Sequence, residues 1–278
     1  MDHTARTTLI AGLFMLTPLA ASAQDVTRYV RYAIDDGVRY GVVEGDVIHE
    51  LEGDLFDAPR RTGATVPLEG ARLLAPVEPG KVIAVGLNYA SHLGGREPAD
   101  EPGLFAKLPT SIIGPGEPIV LPADASNVHY EGELVVVIGK TASRVSRDEA
   151  GDYIFGVTAG NDVSERNWQG SDLQWLRAKG ADTFGPIGPA VVRGLDYDDL
   201  LVQTRLNGEV RQSEGSADLI FDVREVVSYI SRYIRLEPGD VIFTGTPGTT
   251  RPMEPGDVVE VEVEGVGVLR NPVVAGGP

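Results

Sequence analysis

The sequence predicts a mixed, strand-rich α+β fold with few helices, joined to a small β-containing N-terminal domain. Three observations carry this. Short apolar runs recur between turn-forming pairs such as Asp36-Gly37 and Glu44-Gly45. The run EGELVVVIGK, from Glu131 to Lys140, is nearly continuous in aliphatic residues, as a strand buried on both faces requires. Near the C-terminus Val259, Val261 and Val263 alternate with Glu260, Glu262 and Glu264, the two-residue period of a strand with one wet face.

Taken in order, the chain opens with MDHTARTTLIAGLFMLTPLAASAQ. Arg6, the apolar run Leu9 to Ala20 and the small-x-small Ala21-Ser22-Ala23 are the three parts of a secretory signal, assigned to 1–23. The expectation is a periplasmic or secreted protein after cleavage near Ala23; a packed N-terminal helix is the alternative, and Pro18 opposes it. Residues 24–77 hold a meander of short strands, the small N-terminal domain, closed by the proline-marked junction Ala75 to Gly80.

Residues 78–278 form the catalytic domain. VIAVGLNYA reads as a strand running into a turn, and IFGVTAGND and Pro189 to Arg193 as further strands. VQTRLNGEV folds back at Asn207-Gly208. Asp222 to Tyr233 has helical spacing, with Val223, Val226, Val227 and Ile230 on one side. DVIFTG and VVEVEVEGVGVLRNP supply the last strands, and the glutamates of the latter belong to the surface.

With 24 basic and 41 acidic residues, the net charge of -17 disfavours nucleic acid and anionic membrane as partners. There is no cysteine, which excludes thiol catalysis and thiolate metal sites. No G-x-S-x-G elbow and no H-E-x-x-H zinc helix occurs, and VEGVGVL lacks a phosphate-loop context.

The sharpest local feature is Glu131-Gly132-Glu133. In an extended segment, residues two apart share a face, so both carboxylates point to one place and repel unless a proton or cation lies between them. A hard divalent ion fits there, and a water-exposed acidic strand end is the alternative. His129 shares the parity, as a supporting partner or a surface histidine. Asp162 could add a third carboxylate or simply form an Asx turn. Arg166 and Gln169, three apart, share a face if helical and can donate to an anionic substrate; a surface ion pair would explain the arginine equally well. His92 suits a general base and precedes a Gly-, Pro- and Glu-rich stretch to Pro109, long enough for a mobile cover. Lys179 could stabilise an enolate or carboxylate, and Thr246, in TGTPG, could hold a substrate oxygen or only form the turn.

Together the segments VIAVGLNYASH, LFAKLPTSIIGPGEPIVLP, YEGELVVVIGK, FGVTAGNDVSERN, LRAKGADTFGPIGP, DVIFTGTPGTT and VEVEGVGVLRNPVV resemble the fumarylacetoacetate hydrolase family. They cover most of Lys81 to Val274 in order, and the front segment looks like the extra N-terminal domain of bacterial members. The resemblance implies a β-rich roll or sandwich, commonly a homodimer, with Mg²⁺ or sometimes Mn²⁺ held by Glu131, Glu133 and Asp162. It makes His92 and Lys179 catalytic, and Arg166, Gln169 and Thr246 substrate-binding.

One departure concerns Gly95, where many relatives carry a glutamate that helps the histidine activate water; Glu97 or Glu101 could replace it by folding back. The expected activity is metal-dependent hydrolysis of a C–C bond in a small acylpyruvate or 1,3-diketo acid through a metal-stabilised enolate. The alternative is decarboxylation or tautomerisation of small, oxaloacetate-like 2-oxo acids on the same site, to which Gly95 points. A non-catalytic periplasmic binding protein is the reading from another class.

Overall fold

A computed structural model describes residues 26–34 and 37–277; the expected signal segment, 1–23, lies outside them. A twelve-stranded sheet dominates. Its main path runs Arg60–Pro67, Val47–Glu52, Gly37–Glu44, Thr27–Ile34, Gly185–Arg193, Ile154–Asn161, Gly132–Ile138, Val241–Phe243, Val82–Gly86, Gly103–Lys107. The N-terminal strands are hydrogen-bonded into this sheet, with Tyr29 opposite Val191 across an antiparallel pair. A second, five-stranded sheet is ordered Glu209–Gly215, Leu201–Leu206, Val258–Val263, Gly267–Ala275, Ile119–Leu121. The described helices are short, Arg147–Ala150, Arg166–Ser171 and Leu176–Gly180, apart from Val223–Tyr233.

The central strand Gly132–Ile138 explains its own composition. Leu134, Val136 and Ile138 join the core shared with the second sheet and the long helix. Val135 and Val137 point the other way, into a cluster with Val42, Leu51 and Leu55 of the N-terminal segment. Both faces are dry, so no polar alternation survives. The helix Val223–Tyr233 is capped by Asp222, whose carboxylate accepts from Glu225 N–H at 2.8 Å. Its Val223, Val226, Val227 and Ile230 are buried, each contributing up to about 1.5–3 kcal/mol of transfer free energy. In the hairpin after Leu201–Leu206, Asn207 and Gly208 have φ of 54° and 80°, the left-handed pair that a two-residue turn demands.

One expectation is corrected. The stretch from Leu93 to Pro109, read as a cover, is loop only to Pro102, because Gly103–Lys107 pairs antiparallel with Val82–Gly86 as an edge strand. Glycine and proline density concealed a short strand whose pairing partner lies earlier in the chain.

Candidate active site and metal centre

Four neighbouring strands finish at one edge of the large sheet. Gly132–Ile138 is antiparallel to both Ile154–Asn161 and Val241–Phe243, and the latter runs parallel to Val82–Gly86. The start of the first and the ends of the other three therefore lie together, delivering Glu131 and Glu133, Asp162, Thr246 and the His92 turn to one place. These residues, with Arg166, Gln169, Trp175 and Gly248, line a cleft of about 730 Å³.

Glu131, Glu133 and Asp162 are 4%, 2% and 1% exposed, which removes the reading of a wet acidic strand end. One oxygen from each lies within 4.8 Å of the others. Backbone pairing sets this geometry. Asp162 N–H donates to the Glu131 carbonyl at 2.8 Å, and Glu131 N–H donates to Asn161 Oδ1 at 2.8 Å. The intervening Gly132 faces the second sheet, where a Cβ would collide with Thr204 Oγ1 and lie 3.2 Å from Val261 Cγ1. Glycine there lets the carboxylate-bearing strand seat against the sandwich.

The cations around the cluster are fully committed. Lys179 Nζ donates to Glu131 Oε2 at 2.5 Å and Asp162 Oδ2 at 2.6 Å. Lys107 Nζ donates to Asp162 Oδ1 at 2.6 Å and to the Lys179 carbonyl. Arg166, opening its short helix, bonds Glu131 Oε1 at 2.5 Å, Thr250 Oγ1 at 2.9 Å and Gln169 Oε1 at 2.8 Å. Glu133 is different: among the described residues its carboxylate accepts one hydrogen bond, from Gly245 N–H at 2.7 Å.

The protonation energetics follow this asymmetry. Burial alone would raise the Glu131 carboxyl, yet Lys179, Arg166 and His92 hold it well below the usual carboxylate range. Burial and the charges of Asp162 and Glu131 push Glu133 well above that range. Burial lowers Lys107, whereas for Lys179 the neighbouring Asp162 and Glu131 outweigh burial and raise it. A buried carboxylate with no cation of its own, beside two others, suits a divalent ion that takes oxygen ligands. The donor set contains only carboxylates, which favours Mg²⁺ or Mn²⁺ over softer metals.

His92 sits in the turn Ala90–His92. Its Nδ1 is 2.5 Å from the Gly248 carbonyl, an acceptor only, so Nδ1 carries the hydrogen. Nε2 then faces Glu131 Oε1 at 3.5 Å. Ser91 fastens the same junction, because Gly248 N–H donates to Ser91 Oγ at 2.8 Å. A backbone carbonyl thus orients His92. Neither glutamate considered from the sequence does so: Glu101 accepts from Tyr229 OH at 3.1 Å, and Glu97 is exposed and outside the cleft lining.

Thr246 lines the cleft, but its hydroxyl donates to the Gly132 carbonyl at 2.9 Å and accepts from Gln212 Nε2 at 2.8 Å. Its side chain therefore fixes the Glu131–Glu133 strand. His129 forms a supporting layer, bonding Asn127 and Thr250 at 2.8 Å each, with burial and nearby Arg166 lowering its pKa to about 4. Sequence reasoning gave no role to Lys107, Gln212, Trp175 or Gly248. A lysine inside the apolar run GLFAKLP was the one signal available for Lys107.

Comparison with known proteins accounts for both parts of the chain. Residues 81–274 match the family model described as fumarylacetoacetate (FAA) hydrolase, C-terminal, and residues 27–76 match Rv2993c-like, N-terminal. Protein Rv2993c of Mycobacterium tuberculosis is 46% identical over 90% of this chain and 99% of its own length. The mitochondrial oxaloacetate tautomerase Fahd2a of Rattus norvegicus is 39% identical over 75% of this chain and 71% of its own. Among solved structures, 5-carboxymethyl-2-hydroxymuconate delta-isomerase from Mycobacterium smegmatis superposes with a TM-score of 0.86 at 47% identity, covering 90% of this chain and 100% of that one. Maleylpyruvate hydrolase from Sphingobium sp. SYK-6, in complex with manganese(II) and pyruvate, has a TM-score of 0.76 at 30% identity, with the same coverages. The chain is an enzyme of the fumarylacetoacetate hydrolase family, with an Rv2993c-like N-terminal extension built into its main sheet.

Proposed function

We propose that this enzyme interconverts the keto and enol forms of a small, oxaloacetate-like 2-oxo acid, with His92 carrying the proton. The observation behind this choice is the His92 geometry. Nδ1–H is held by a neutral carbonyl and Nε2 opens toward the carboxylate cluster, an arrangement suited to taking and returning one proton. Glu131, 3.5 Å away, would stabilise the imidazolium formed when Nε2 takes that proton. The hydrolysis expected from the resemblance asks more, since water must also be held and activated, and neither Glu97 nor Glu101 takes the place of the glutamate absent at Gly95. The similarity to a tautomerase and an isomerase supports the same choice, while the hydrolase relative keeps C–C cleavage as the contrasting outcome.

A divalent cation held by Glu131, Glu133 and Asp162 would supply Lewis acidity that favours the enolate. Lys179 bridges two of those carboxylates, with its ammonium 4.9 Å from the Phe105 ring centroid. Gln169 and Trp175 wall the substrate cleft, and Arg166 and Thr246 hold the carboxylates' surroundings in place. An exported, homodimeric form of the chain belongs to the same proposal, tested by N-terminal mass and light scattering of the native protein.

The functional test is NMR of oxaloacetate and of an acylpyruvate in D₂O with Mg²⁺, using Glu131→Ala as the blank. Catalysed C3 deuterium exchange without fragmentation supports the tautomerase. Faster release of two carbon fragments, or of CO₂, would reassign the enzyme as hydrolase or decarboxylase.

A further inference from the structure

Glu131, Glu133 and Asp162 face Lys107, Lys179 and Arg166, and every one of those cations already bonds a carboxylate. The cleft lining contains two guanidinium groups, Arg166 and Arg96. Arg166 is occupied by Glu131, Thr250 and Gln169, so it offers little to a further anion. Arg96 has no hydrogen-bond or ion-pair partner for its side chain among the described residues.

Its placement comes from the backbone. After His92 the chain turns through Gly94 and Gly95, with φ of 60° and 85°, a region that residues with a Cβ rarely adopt. Arg96 N–H closes the turn on the Leu93 carbonyl at 3.2 Å, returning the chain to the mouth of the cleft. Gly95, which stands where many relatives carry a glutamate, is thus part of the turn that presents a cation there.

We propose that Arg96 is a specificity-determining residue that receives the distal carboxylate of a dicarboxylic 2-oxo acid. This rests on the reading of the site as one for small 2-oxo acids and names their class. The 2-oxo end lies toward Glu131, Glu133 and Asp162, and the second carboxylate lies outward, where a guanidinium with free donors meets it through paired N–H···O bonds. A monocarboxylic 2-oxo acid has nothing to offer Arg96, so the residue separates the two classes by binding.

The test is titration calorimetry of the full chain with Mg²⁺. The ligands are 3,3-difluoro-oxaloacetate, which has no C3 proton to lose, and pyruvate, which lacks the distal carboxylate. Arg96→Gln should weaken the dicarboxylate by about tenfold or more and leave pyruvate within about twofold, with Arg96→Lys between. In turnover, the same change should raise KM for oxaloacetate and leave kcat near its original value. Equal losses for both ligands, or none for the dicarboxylate, would overturn the assignment of Arg96 alone. Failure of the unaltered protein to bind either ligand would overturn the 2-oxo acid reading together with it.

Discussion

Two of the Glu-x-Glu pairs of this molecule have opposite fates. Glu131-Gly132-Glu133 is buried at the start of the central strand and surrounded by Lys179, Arg166 and His92. Glu260-Val261-Glu262 lies on the second sheet with its side chains 24% and 44% exposed, shared with Arg205. Their middle residues face each other across the sandwich, since a Cβ on Gly132 would stand 3.2 Å from Val261 Cγ1. The flanking glutamates therefore project away from each other, one pair into the cleft and the other into water. Two-residue parity brings carboxylates together in both cases. What lies beyond the face decides whether they hold a metal or only solvate a surface.

Breaking the contrast outright means deleting one glutamate from each pair. Glu133→Ala is expected to abolish tight Mg²⁺ or Mn²⁺ binding and to lower turnover by about three orders of magnitude, equivalent to the several kcal/mol of charge stabilisation a bound cation contributes. Glu262→Ala should leave both within about twofold. Calorimetry with the metals and steady-state rates would check the pair, and equal effects would erase the distinction.

The contact between the two motifs is the next place to press. Gly132→Ala should cost about 1–3 kcal/mol through overpacking against Thr204, lowering Tm by about 2–4 °C per kcal/mol. Because both glutamates would shift with the strand, turnover should fall by about a hundredfold. Thr204 Oγ1 is buried without a hydrogen-bond partner among the described residues, so adding Thr204→Ala should recover part of both losses. A double variant no better than Gly132→Ala would mean that the glycine serves something other than close approach.

Proton competition separates the carboxylates within the buried pair. Glu133 is pushed up by burial, Asp162 and Glu131, whereas Lys179, Arg166 and His92 outweigh burial and hold Glu131 down. An ion must displace a proton from Glu133 but not from Glu131. Below the raised Glu133 value the apparent metal affinity should therefore fall by up to about tenfold per pH unit, and above it level off. Calorimetry in buffers of different ionisation enthalpy would count the proton released, with Glu133→Gln removing that release.

Much of this arrangement was legible from local pattern. The continuous strand, the alternating Val/Glu strand, the Asn207-Gly208 turn and the helix after Asp222 each declare themselves within a dozen residues. Glu131, Glu133 and Asp162 could be nominated because parity and strand ends are local properties. Lys107 could not, because its partner Asp162 is 55 residues away and only the sheet brings them together. The Gly248 carbonyl that orients His92 is 156 residues distant and has no side-chain signature at all. The merging of Thr27–Ile34 with Gly185–Arg193 escaped notice for the same reason: strand pairing across a chain leaves no mark on either strand's own period.

The smallest effect tests the exposed pair on its own terms. Arg205 sits between Glu260 Oε2 at 3.1 Å and Glu262 Oε2 at 2.8 Å, with a third bond to Gln203 Oε1 at 2.8 Å. It resembles Lys179 in bridging two carboxylates, yet its side chain is 18% exposed, against 3% for Lys179. Solvent screens the exposed triad, so Arg205→Gln should cost no more than about 1 kcal/mol, and less in high salt. Lys179→Gln, by contrast, leaves Glu131 and Asp162 short of a buried cation and should cost about 3–5 kcal/mol whatever the salt, unless Mg²⁺ is present to replace the charge. Urea unfolding at low and high ionic strength, with and without Mg²⁺, measures all of these at once. A salt-insensitive loss at Arg205 as large as that at Lys179 would show that burial is not what separates the two glutamate pairs.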